Sequence, residues 1–146
     1  APALAAGAGE SGRPVPPVTV VPMCITAAEA DELPEARRRI REQLAFLLTT
    51  PNYQHTLRIL GLAEVGQRLG AAARARNWTG LVDELDDDTV RALVPEATWT
   101  DLPAVLHRWY GQWADQISLP WPTGDLDRFA AEVVVPLQTE TVGGGN

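Results

Sequence analysis

The segment QISLPWP, residues Gln116–Pro122, has the sequence pattern of a strand in a parallel sheet. The helical pattern LHRWYGQWAD precedes it, and a second helical pattern, TGDLDRFAAEVVVPL, follows it. A short apolar run between two helices is typical of a parallel strand whose faces are covered by helices. Such a strand needs paired neighbours to be stable. We therefore predict a strand at 116–120 and look for its partners.

A second strand is predicted at 18–25, where VTVVPMCI is rich in β-branched and apolar residues. Both alternating faces of this run are apolar, which favours burial on both sides, as in a parallel sheet. Pro22 has no amide hydrogen, so it marks a bulge or a strand end.

The remaining chain has helical periodicity. Arg37, Arg38, Arg39 and Arg41 follow a group of acidic residues, a polarity that suits the helix dipole and indicates a solvated helix face. Thr100 and Asp125 are predicted to cap two later helices. The full prediction is the end of a helix at 1–12, a strand at 18–25, a helical segment at 27–94, a helix at 100–113, a strand at 116–120, a closing helix at 125–137 and a flexible tail at 138–146.

Composition limits the function classes. A chain of 146 residues with a net charge of -7 fits one globular domain and disfavours nucleic-acid binding, which needs many cations. Cys24 is the only cysteine, which excludes an internal disulfide and a cysteine metal cluster and favours the cytoplasm. No segment reaches membrane-spanning length, and no signal peptide is expected.

Two widely separated strands cannot form a complete sheet. Parallel strands joined by helices occur in doubly wound sheets and in (β/α)8 barrels, and a barrel needs roughly 250 residues. We expect an α/β fold that is predominantly helical here and forms the C-terminal part of a TIM (β/α)8 barrel, its last two strands.

Three segments in this order carry a family resemblance: GRPVPPVTVVPMCIT, EARRRIREQLAFLLTTPNYQHTLRILGL and LPAVLHRWYGQWADQISLPWP. The chain resembles the C-terminal portion of the luciferase-like oxidoreductases, and within them the branch that uses the deazaflavin coenzyme F-420. The most specific elements are AFLLTTPNY with the Gly61-Leu62 turn, and ADQISLPWP. The resemblance covers about Leu4 to about Leu137.

By this resemblance, Leu4 to Gly12 would close helix 6, Val18 to Ile25 would be strand 7 and Ile117 to Leu119 strand 8. Helices between these strands would form an excursion, and Leu126 to Leu137 the closing helix. The acid/base residues and most cofactor contacts of the family belong to earlier barrel strands. The resemblance therefore implies no catalytic residue in this chain.

Several motifs have simpler explanations than a functional site. GAGESG, Gly7 to Gly12, matches a dinucleotide fingerprint but follows a helical pattern rather than a strand. The acidic run around Asp86 lacks calcium-loop spacing and suits a helix start, so no metal site is expected. Cys24 is predicted to be a buried thiol, and His55 and His107 to lie on polar helix faces.

The five tryptophans divide into two groups. Trp109 and Trp113 are four residues apart on an apolar stripe, which predicts core packing. Trp121 follows a predicted strand at its carboxyl end, which is the active-site face in barrel enzymes, and Met23 stands near the corresponding end of the other strand. We predict that Met23 and Trp121 line the substrate or cofactor pocket at the mouth of the complete barrel.

The function expected from these observations is that of a C-terminal segment of a cytoplasmic oxidoreductase, inactive alone, which transfers a hydride to or from F-420. Flavin mononucleotide, FMN, is the alternative cofactor. Its partners would be a small-molecule substrate and the rest of the barrel, with homo-oligomer formation left open. The alternatives are a stand-alone helical protein-interaction module and a subunit that completes a barrel with a second chain.

Overall fold

The computed structural model describes residues 2–140, and the chain divides into two compact units. We call residues 2–23 and 99–140 the terminal unit, and residues 24–98 the middle unit. Within the described residues the chain is mostly helical with a few short strands, which confirms the predicted mixture of helices and strands.

The elements have the following bounds. The helices are α1 (Pro2–Ser11), α2 (Leu33–Leu47), α3 (Pro51–Ile59), α4 (Ala63–Arg74), α5 (Asp87–Leu93), α6 (Leu102–Tyr110), α7 (Leu126–Phe129) and α8 (Val135–Glu140). The strands are β1 (Thr19–Val20), β2 (Ile25–Ala27), β3 (Glu96–Thr98) and β4 (Gln116–Ile117). Two 3-10 turns, Ala30–Glu32 and Val82–Glu84, and one π turn, Ala130–Val134, complete the set.

β1 and β4 form a parallel pair in the terminal unit, with Thr19 opposite Gln116 and Val20 opposite Ile117. The ladder continues past the strand ends, because the Ser118 amide donates to the Val20 carbonyl at 2.8 Å. At the other end, the Asp115 carboxylate accepts the amide hydrogen of residue 18 at 2.7 Å. The prediction that the segments around residues 18 and 117 are parallel neighbours is confirmed.

The prediction of one continuous strand at 18–25 is wrong. The segment contains two strands, β1 and β2, and they belong to different sheets. Pro22 lies between them and has no amide hydrogen to donate to a ladder, which accounts for the break. β2 pairs in parallel with β3 inside the middle unit, with Ile25 opposite Glu96. β3 was not predicted.

Two other element bounds differ from the predictions. The strand predicted at 116–120 is only two residues long, since Pro120 cannot donate to a ladder. The helix predicted at 100–113 spans 102–110, and Asp101 rather than Thr100 is its N-cap residue. The Thr100 hydroxyl instead donates to the Glu132 carboxylate at 3.2 Å.

The closing helix runs further than predicted. Asp125 caps it as expected, since its carboxylate accepts the Arg128 amide hydrogen at 2.9 Å. Pro136 does not end it, because the π turn interrupts regular α-helical bonding immediately before α8, where a proline is tolerated. Residues 138–140 belong to α8 rather than to a flexible tail. The rest of the predicted tail lies outside the described residues.

The predicted end of a helix at 1–12 corresponds to α1. Helices α2 to α5 lie within the helical segment predicted at 27–94, but Ala27 itself still belongs to β2. Gly61 follows the end of α3 with a φ of 76°, which a glycine adopts without strain. The prediction that the arginines of α2 lie on a solvated helix face is only partly correct. Arg38 is exposed and pairs with Glu35 and Glu42, whereas Arg37 is largely buried against β3.

The buried side chains of the terminal unit include Trp99, Leu102, Leu106, Phe129 and Val133, and those of the middle unit include Ile25, Leu57, Leu69, Leu85 and Val90. None of the helices within residues 2–140 combines the length and the apolar character that crossing a bilayer requires.

Candidate ligand cavity in the terminal unit

A cavity of about 730 Å³ lies beside β4 in the terminal unit. Its walls are β4 with the Pro-Trp-Pro segment that follows, the carboxyl-terminal part of α6, and the helix from α7 to α8. The size falls within the range of roughly 300–1,000 Å³ that is usual for small-molecule sites. The backbone of β4 and of the Pro-Trp-Pro segment therefore forms one wall of the candidate site.

The cavity lining is mainly apolar. The large apolar side chains of the lining include Ile117, Leu119, Leu126, Phe129, Val134 and Leu137. The polar residues are Thr19, His107, Asp115, Gln116, Ser118 and Gln138. Thr19 and Gln116 already contact each other, because the hydroxyl donates to the side-chain oxygen Oε1 at 3.0 Å. None of the described residues that line the cavity is an arginine or a lysine.

Trp121 lies at the edge of this cavity and is the most exposed large apolar side chain of the described chain, at 87%. It is held between two prolines that restrict the backbone on both sides. An exposed indole beside an apolar cavity offers a flat surface on which a ring can stack.

One of the two predicted pocket residues lines this cavity. Trp121 lines the cavity, whereas Met23 is half-buried and is not one of the lining residues. Whether both border the mouth of a complete barrel stays a prediction.

The cavity wall contains an unusual helical turn. Ala130 and Val134, at the two ends of the π turn, line the cavity, while Val133 of the same turn is fully buried. Isolated π turns inside α-helices are rare and occur frequently at functional sites. The prediction of a closing helix at 125–137 did not include this turn, although the apolar residues of the segment are too numerous for a single helical stripe.

Aromatic and ionic contacts also stabilise this wall of the cavity. The rings of Trp99 and Phe129 meet edge to face with centroids 5.3 Å apart, and the Arg128 guanidinium lies 5.7 Å from the Trp99 ring centroid. Arg128 also donates to Glu132 at 2.6 Å, and this hydrogen bond lowers the pKa of the Glu132 carboxyl. These contacts hold the turn in place with its lining face toward the cavity.

The prediction of core packing for Trp109 and Trp113 is wrong. Their exposed fractions are 37% and 44%. α6 ends at Tyr110, so Trp113 lies in the following turn, where its indole Nε1 donates to the Trp109 carbonyl at 3.3 Å. Both rings pack beside the Tyr110 ring instead of continuing the buried stripe.

The other candidate groups have structural explanations. Burial raises the pKa of the Cys24 thiol to about 12, which disfavours a reactive thiolate. His55 and His107 are exposed, as predicted. Gly7 and Gly9 lie inside α1, and this helical context does not fit a dinucleotide fingerprint. Asp86 caps α5, since its carboxylate accepts the Thr89 amide hydrogen at 2.7 Å.

Within residues 2–140, no group of three or more histidine, cysteine, aspartate or glutamate side chains is arranged to hold a metal ion. No protein-family model, curated protein or solved structure matches the chain.

Proposed function

We propose that this chain is the C-terminal part of a luciferase-like (β/α)8 barrel oxidoreductase that transfers a hydride to or from F-420, with FMN as the alternative cofactor. The observation that supports the proposal best is the parallel pairing of β1 with β4. Its paired residues Thr19 and Gln116 are 97 positions apart, with helices between them. Strands that are neighbours in a barrel are parallel and joined by helical connections.

The edges of the pair fit an incomplete barrel wall. In a parallel ladder, successive residues direct their backbone groups to opposite sides. The Gln116 and Ser118 amides donate toward β1, so the Ile117 amide is directed away from it. In the proposed barrel, that side of β4 would receive the first strand, supplied by chain outside the described residues.

The position of Trp121 suits a contact with a cofactor or substrate ring, because it follows the carboxyl end of β4. Its exposed indole would supply a stacking surface. The cofactor's phosphate would need cationic partners from elsewhere in the barrel, since the described lining contains neither arginine nor lysine. The residues of this chain would form part of the barrel wall and orient a ring, and the cofactor would supply the hydride chemistry. The cytoplasm is the compartment we propose.

The test uses the complete polypeptide encoded by the reading frame around this segment. We expect that frame to encode six further strand-and-helix units upstream, and its product to bind F-420 or FMN in a fluorescence titration. Trp121→Ala should weaken cofactor binding about three- to tenfold through the lost ring contact. Trp78→Ala, which removes another exposed tryptophan, should leave binding unchanged.

Two results would reject the proposal. One is a start codon near the beginning of this segment together with cooperative unfolding of the isolated chain, which would indicate a stand-alone module. The other is a complete polypeptide that binds neither cofactor. Stability gained only on mixing with a second, separately encoded chain would instead identify a barrel-completing subunit.

A further inference from the structure

We propose that the cavity beside β4 is a binding site for an uncharged, mainly apolar small molecule. This inference concerns the space between β4, α6 and the closing helix. It does not depend on the proposed oxidoreductase activity.

The shape and lining of the cavity support a small-molecule ligand. Its volume of about 730 Å³ matches the sites that bind such ligands. Leu119, Phe129 and Leu137 give it apolar walls. A ligand that fills this space would gain the contacts that the wall atoms otherwise lack.

The charged side chains around the cavity disfavour an ionic ligand. Among the described residues the lining has no arginine or lysine, so a phosphate or sulfonate group would find no fixed cation there. Asp115, the acidic side chain of the described lining, already accepts the amide hydrogen of residue 18. The side chains of Gln138 and Ser118 can exchange hydrogen bonds with a neutral polar group, such as a carbonyl or a hydroxyl.

The π turn is an independent indication of a site at this wall. A π turn is rare, and here it places Ala130, a small side chain, against the cavity. A larger residue at this position would occupy the space that the ligand is proposed to fill.

The experiment titrates the 146-residue chain with N-phenylnaphthylamine, a neutral fluorescent probe, and with its charged analogue anilinonaphthalene sulfonate. We expect saturable binding of one neutral probe per chain, and weaker binding of the sulfonate. Ala130→Trp should weaken neutral-probe binding by about tenfold or more, because the indole would fill the cavity. Ala131→Trp, at the neighbouring exposed position outside the lining, is the matched control.

Circular dichroism of both variants checks that they fold. If Ala130→Trp does not fold, Trp121→Ala replaces it, since an 87% exposed side chain contributes little to the core. This variant should weaken neutral-probe binding about three- to tenfold, and Trp78→Ala should not.

The inference would be overturned if Ala130→Trp and Ala131→Trp weakened neutral-probe binding equally. It would also be overturned if several probe molecules bound per chain, or if the sulfonate bound more tightly than the neutral probe. Loss of probe binding in the complete polypeptide would also overturn it, because protein would then fill the cavity. A chain dimer that Ala130→Trp dissociates would identify an interface between copies instead. Failure of cofactor binding would reject the proposed function and leave this inference intact.

Discussion

Arg37 of α2 and Glu96 of β3 form a two-point ion pair in the middle unit. The arginine Nε donates to Oε2 at 2.8 Å, and Nη2 donates to Oε1 at 2.5 Å. Both side chains are largely buried, with exposed fractions of 18% and 16%. Arg37 also donates to Asp87 at the start of α5, at 3.2 Å, so one guanidinium connects three elements. The pair fixes the parallel strand β3 against the helix that covers it.

Glu96→Gln should lower the free energy of unfolding by about 2 kcal/mol, because it removes a charge-assisted pair and leaves a partly buried arginine without its main partner. Urea unfolding followed by circular dichroism measures this change. Glu35→Gln is the matched control, since Glu35 pairs with Arg38 on the exposed face of the same helix. Its effect should be much smaller. Equal losses in the two variants would show that the buried pair has no special role.

The same pair predicts a dependence of stability on pH. The hydrogen bond from Arg37 lowers the pKa of the Glu96 carboxyl below its ordinary value, while burial acts in the opposite direction. A carboxyl whose pKa is lower in the folded state stabilises the fold above its unfolded pKa of about 4.3, and this stabilisation is lost as the pH falls through the folded pKa.

The difference in unfolding free energy between the natural chain and Glu96→Gln should therefore be largest near about pH 6 and shrink toward about pH 3. Urea titrations of both proteins across this range measure it. A difference that stays constant would mean that ionisation of Glu96 does not contribute to stability.

Cys24 is half-buried rather than fully buried, and the loss of solvent around its thiol predicts low reactivity. With a pKa of about 12, its thiolate fraction at pH 8 should be at least about a hundredfold below that of an ordinary cysteine. Alkylation by iodoacetamide, followed by mass spectrometry, should be slow in the folded chain and normal in urea. Fast alkylation in the folded chain would reveal an activated thiol and make Cys24 a candidate functional residue.

Much of this architecture was readable from local patterns. The β-branched run at residues 18–20 and the apolar residues after Gln116 identified the two strands that pair, and Asp125 identified the start of the closing helix. The local sequence also indicates why the segment at 18–25 is divided into β1 and β2, because Pro22 cannot donate a hydrogen bond to a ladder. Pro22 was interpreted as a bulge or a strand end, and the exchange of partners was not foreseen.

Other features depend on tertiary contacts that no local pattern encodes. β3 reads Glu-Ala-Thr, without an apolar run, and its pairing depends on β2 and on the Arg37 ion pair. The exposure of Trp109 follows from where α6 ends, which periodicity alone does not determine. The cavity is likewise a property of three separated segments, so the sequence indicated only Trp121 among its walls.

The most direct test of the proposed barrel wall is amide hydrogen exchange at two adjacent residues, measured by NMR in the isolated chain and in the complete polypeptide. The Ser118 amide donates to Val20, so it should exchange slowly in both. The Ile117 amide is directed away from β1, so it should exchange fast in the isolated chain and slowly in the complete polypeptide, where the first strand would pair with it. Fast exchange of Ile117 in the complete polypeptide, or fast exchange of Ser118 in the isolated chain, would contradict the account.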